Sequence, residues 1–106
     1  MAKYLFKGTY TEEGLKGLLK DGGSNRRQAT EKMLQSLGGT VEAYYFAFGD
    51  HDYFLIADLP DNVSATALSL VGNSSGTINA NVTVLLTPEE IDEATKRTVD
   101  FSPSGQ

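Results

Sequence analysis

In three of the four strand-like segments of this sequence, bulky apolar side chains fall on both of the faces a strand presents. Side chains alternate along a strand, so a strand with one solvated face reads polar on that face. Residues 3–9 put Leu5 on one side and Tyr4 and Phe6 on the other. Residues 40–48 put Val41, Ala43, Tyr45 and Ala47 on one side, with Tyr44, Phe46 and Phe48 opposite. Residues 52–59 set Tyr53, Leu55, Ala57 and Leu59 against Phe54 and Ile56. Residues 77–86 alternate cleanly, with Ile78, Ala80, Val82, Val84 and Leu86 facing away from Thr77, Asn79, Asn81 and Thr83. A sheet made of these segments has two sides to cover.

The segments between the strands read as helices. Thr11 caps the first, with Glu12 and Glu13 in the turn where the helix dipole favours acids, and Leu15, Leu18 and Leu19 supply its apolar stripe. Asp21-Gly22-Gly23-Ser24 interrupts it, because each glycine costs about 1 kcal/mol relative to alanine inside a helix. The pattern resumes with Ala29, Met33, Leu34 and Leu37 and stops at Gly38-Gly39, giving either one kinked helix or two with Ser24 capping the second. Gly49-Asp50-His51-Asp52 is a hairpin-sized turn, and Pro60-Asp61 closes a strand and caps a helix with the stripe Val63, Thr66, Ala67, Leu70 and Val71. Thr87-Pro88-Glu89-Glu90 reads as a capping box opening a weakly amphipathic last helix over residues 88–98.

The order β-α-β-β-α-β is the split βαβ plan of a ferredoxin-like domain, an α+β fold: a four-stranded antiparallel sheet with two helices on one face, plus a short C-terminal helix. Two helices cover one face only. Phe46, Phe48, Phe54 and Ile56 would then leave an apolar patch of several hundred Å2 on the other. Covering such residues with a second copy gains about 1.5–3 kcal/mol per side chain, so a homodimer packed sheet on sheet is expected. The alternative is that the C-terminal helix or tail folds back over the patch.

Composition excludes several function classes. The 106 residues make one domain, residues 1–98, with a flexible tail over 99–106. There is no cysteine, hence no disulfide, thiol nucleophile or thiolate metal site. No apolar run approaches the ~20 residues of a membrane helix, and residues 1–7 lack a signal-peptide core, so a cytoplasmic address with no membrane partner is expected. The net charge of −5 argues against nucleic acid. That deficit lies wholly in residues 54–106, where Lys96 and Arg97 face seven acids. Glycine-rich segments match no phosphate-cradling pattern.

The segment Gly49-Asp50-His51-Asp52-Tyr53-Phe54-Leu55-Ile56-Ala57-Asp58-Leu59-Pro60-Asp61, preceded by Leu37-Gly38-Gly39, resembles the bacterial GYD domain, whose hallmark is a Gly–acid–Tyr–Asp turn, an apolar strand and Pro-Asp. Tyr4, the Thr11-to-Gly14 helix start, the Lys20-Asp21 break and Leu85-Leu86-Thr87 support the likeness, which spans residues 3–95. Gly49 and Asp52 match the hallmark, Asp50 keeps its acid, and His51 replaces its tyrosine. The resemblance implies a ferredoxin-like fold of the dimeric α/β-barrel type and no particular activity. Relatives of that fold include cofactor-free monooxygenases, small-molecule-binding proteins and stress proteins.

Candidate chemistry is sparse. His51, the single histidine, lies between Asp50 and Asp52 and is a candidate general base. Three consecutive hairpin side chains diverge, so no metal site is expected, and no cofactor. Asp52 is read as a structural cap of turn amides. Tyr45 and Tyr53 join His51 as catalytic candidates, while Tyr44, His51 and Lys7 are candidates for ligand binding. Tyr10 belongs to the same aromatic set; Lys7 and Arg26-Arg27 could bind an anionic ligand, but are read chiefly as solvated. The expected function is an oligomeric module that binds a small apolar or aromatic molecule without demonstrated catalysis. The alternative is a cofactor-independent monooxygenase- or isomerase-like enzyme acting on an aromatic or enolic substrate. Beyond the dimer, a higher oligomer is open.

Overall fold

The computed structural model describes residues 1–105. Its elements are β1 (Ala2–Tyr10), α1 (Glu12–Asp21), α2 (Gly23–Ser36), β2 (Thr40–Phe46), β3 (Tyr53–Leu59), α3 (Asn62–Ser74), β4 (Ile78–Leu85) and α4 (Pro88–Ala94). The strands form one antiparallel sheet in the order β2-β3-β1-β4, the ferredoxin-like arrangement. Both central strands, β1 and β3, carry the side chains of the core. Tyr4 and Phe6 from β1 meet Tyr53, Leu55, Ala57 and Leu59 from β3, with Leu34 of α2 and Ala65 of α3 above them.

The helix caps follow the sequence. Thr11 accepts from the Gly14 N–H, Asp61 from the Ser64 N–H at 2.8 Å, and Thr87 with Glu90 forms the reciprocal capping box. The break between α1 and α2 is a full one. Gly22 takes φ +79°, a conformation that side chains disfavour, and it caps α2 itself, while Ser24 lies inside the helix rather than capping it.

Two expected helix stripes are corrected. On α1 the inward residues are Gly14 and Leu18, whereas Leu15 and Leu19 point out, Leu19 being 87% exposed. The cause is close approach: a Cβ on Gly14 would sit 2.0 Å from the Thr77 carbonyl oxygen, so α1 pivots on its glycine. On α3 the inward face is Ala65, Leu68 and Gly72, while Val63, Leu70 and Val71 are exposed. Helix phase is fixed at the start by the Asp61 cap and by the Tyr4 hydroxyl, which donates to Asn62 Oδ1 at 2.6 Å. Small residues then allow the helix to lie close to the sheet.

A third correction concerns β2. A bulge between Val41 and Ala43 changes which residues share a face: Val41 pairs Ala57, but Ala43 pairs Ile56. Phe46 therefore lies opposite Tyr53 and packs against the core, and Tyr45 lies opposite Phe54 on the open face. The expected grouping of Phe46 with Phe54 and Ile56 does not form. The open face instead presents Leu5, Ala43, Tyr45, Phe54 and Ile56, with Tyr45 71% exposed and Phe54 37% exposed. Lys3 closes one end, its amine held charged above its usual range by hydrogen bonds to the Glu42 and Asp58 carboxylates.

Among the described residues, α4 and the segment after it do not fold over this face. None of α4 is buried, and Val99 and Phe101 are exposed. The helix ends at Ala94 rather than at residue 98, and of the expected tail Gln106 lies outside the described residues. Among the described residues no helix is long and apolar enough to cross a membrane.

Candidate functional site

Between the sheet and its two covering helices, α2 and α3, lies a cavity of about 210 Å3. Phe6, Leu55, Ile78 and Ala80 supply an apolar floor from three strands. Thr30 and Met33 of α2, with Leu68, Ser69 and Gly72 of α3, form the opposing wall. Small residues on α3 leave this space: a Cβ on Gly72 would sit 3.1 Å from the Ile78 side chain, and neither Ser69 nor Gly72 fills the gap. Asn73 locks the end of α3 to the edge strand, its Oδ1 accepting from the Ala80 N–H at 2.8 Å and its Nδ2 donating to the Ala80 carbonyl at 3.2 Å.

Three tyrosines gather at one end. The Tyr10 and Tyr53 ring centres are 5.7 Å apart, and Tyr53 stacks against Tyr44 at 6.1 Å with 23° between their planes. Phe46 extends the row behind Tyr44, at 5.1 Å. Burial is the main reason that Tyr53 is pushed up to about 12, with Tyr44 adding to it and Arg26 opposing. Burial and the adjacent Tyr44 hydroxyl raise Tyr10 further above the ordinary phenol value. Both rings stay protonated through the physiological range and can donate hydrogen bonds. Arg26, in the first turn of α2, is the single charged side chain lining the cavity.

Asp52 holds Tyr10 in this row. Its backbone N–H donates to the Gly8 carbonyl at 2.7 Å, and its Oδ2 accepts from the Tyr10 N–H at 2.8 Å. The residue is structural, but its side chain ties the hairpin to the end of β1 instead of capping an amide two residues on in its own turn.

The sequence candidates divide between the two sides of the sheet. Tyr44 and Tyr53 line the cavity. Tyr45, Lys7 and His51 do not: Tyr45 and Lys7 flank Phe54 on the open face, and the His51 ring meets the edge of Phe54 at 5.8 Å. His51 thus lies apart from the tyrosine row. Tyr10, named only as part of the aromatic set, and Arg26, read chiefly as solvated, also line the cavity; the run Tyr10-Thr11 and the start of α2 after Gly22-Gly23 are far apart in the chain, and only the fold joins them. No group of three or more His, Asp and Glu side chains arranged to hold a metal ion occurs among the described residues.

A ferredoxin-like sheet with a tyrosine-lined cavity under two helices defines an α+β domain, a class that hosts many chemistries. The chain belongs to the GYD domain family, whose model matches residues 4–95 of the 106. No curated protein and no solved structure matches it.

Proposed function

We propose that the protein is a homo-oligomeric small-molecule-binding module that holds a small apolar or aromatic compound between helices and sheet, and meets a second copy through its open sheet face. The observation that carries the binding reading is the cavity of about 210 Å3, apolar on its floor and edged by phenols that stay protonated. Small-molecule sites have this make-up: an apolar enclosure with a few placed polar groups. No carboxylate and no imidazole lines it, and the phenols are poor proton acceptors at neutral pH. That supports binding over proton-transfer catalysis, as does the placing of His51 against Phe54 and outside the described cavity lining. The self-association reading rests on the apolar strip Leu5, Ala43, Tyr45, Phe54 and Ile56, which no other element among the described residues covers.

The test is a calorimetric titration with 2-naphthamide, a neutral two-ring probe. Saturable one-site binding is expected, and Ser69→Trp, which fills the cavity from α3, should abolish it. Absence of binding, or equal binding by Ser69→Trp, would overturn the pocket reading.

A further inference from the structure

Among the described residues Arg26 is the one cation that lines the cavity, although Lys7, Lys20, Lys32 and Lys96 are likewise outside any ion pair. Lys3 is held by two carboxylates, Arg27 pairs with Glu31, Lys16 with Glu12 and Arg97 with Glu93. Among the described residues Arg26 has no carboxylate within 4.0 Å, although it is half-buried at the rim of an apolar cavity. The first turn of α2 also carries no acidic residue to offset the positive end of its helix. Tyr10 and Tyr53 line the same cavity as Arg26, whose charge opposes the upward shift of both phenols. One cation and two protonated hydroxyls thus share the lining of the cavity.

We infer that the cavity takes a flat aromatic monocarboxylate, with its ring system in the apolar space and its carboxylate on Arg26. This rests on the pocket reading above and narrows it. A single ring fits a cavity of about 150 Å3, so the volume here admits one ring or two fused rings. The planar guanidinium fork matches a carboxylate in paired hydrogen bonds, and the Tyr10 and Tyr53 hydroxyls are donors for any remaining oxygen. A phosphate is disfavoured: it carries about two negative charges, and the cavity offers one cation in a chain of net charge −5.

The experiment compares 2-naphthoate with 2-naphthamide, which differ in the charge of the head group, on wild type, Arg26→Gln and Arg27→Gln. In wild type and in Arg27→Gln the naphthoate should bind about tenfold more tightly, the low end for a hydrogen-bonded charge at a half-exposed site. In Arg26→Gln that advantage should vanish, and saturable one-site binding of naphthamide should persist, which establishes that the variant keeps its cavity. Equal affinity for the two probes in wild type, or an advantage that survives Arg26→Gln, would overturn the carboxylate assignment and leave the pocket reading standing. Failure of both probes to bind wild type would overturn both.

Discussion

The two faces of this sheet are made from similar side chains and end in opposite states. Leu59 and Ile56 both stand on β3, yet Leu59 is fully buried under helices and Ile56 belongs to a strip that the chain leaves open. Tyr44 and Tyr45 are neighbours on β2; one lies in the tyrosine row, and the other is largely solvated. Side-chain type therefore does not decide burial here. What decides it is which side the crossover helices take, and that is set by the close glycine contact of α1, the cap of α3 and the bulge in β2.

The sharpest way to break this comparison is a pair of truncations on β3. Leu59→Ala should cost about 2–5 kcal/mol in denaturant unfolding, because it opens a void under the helices. Ile56→Ala should cost less than about 1 kcal/mol at concentrations where the chain is monomeric. Equal losses would mean that the open face is as structurally committed as the covered one.

Self-association sharpens the contrast from the other side. In light scattering the wild type is expected at twice the chain mass, and Phe54→Lys at once the chain mass with its unfolding midpoint little changed. A wild type that stays at single mass at micromolar concentration would contradict the dimer.

Alkaline pH probes the covered face through its phenols. The Tyr53 phenol is raised to about 12 and Tyr10 is raised as well, so both hold their protons in the folded state at a pH where an unfolded tyrosine, near 10, releases them. Their contribution to stability is complete below pH about 10 and declines as pH climbs from there toward the folded values. Absorbance at 295 nm should show a late phase near the alkaline limit, reduced in Tyr53→Phe and in Tyr10→Phe. The smallest effect is expected from deleting residues 88–106, which should change domain stability by no more than about 0.5 kcal/mol since no residue of α4 is buried.

Much of the fold was legible in the sequence, because strand alternation, Thr and Asp caps and glycine breaks are local signals. The misread pieces were the helix stripes and the second strand. Gly14, Ala65 and Gly72 mark the inward faces by being small, which a search for large apolar residues passes over. The bulge at Val41–Ala43 is a backbone irregularity with no residue signature in a run of β-formers, and it exchanged Phe46 for Tyr45 on the open face. The cavity was half legible. Tyr44 and Tyr53 announce themselves as aromatic strand residues, whereas Arg26 looks like any solvated helix cation until the break at Gly22 turns α2 toward the end of β1.

The most direct measurement is to follow the tyrosine ring resonances by NMR during a 2-naphthamide titration. Shifts in Tyr10, Tyr44 and Tyr53 with an unmoved Tyr45 are the expected result, since they place the probe under the helices and leave the open face untouched. Movement of Tyr45 with a silent Tyr10, Tyr44 and Tyr53 would contradict the division of labour between the two faces.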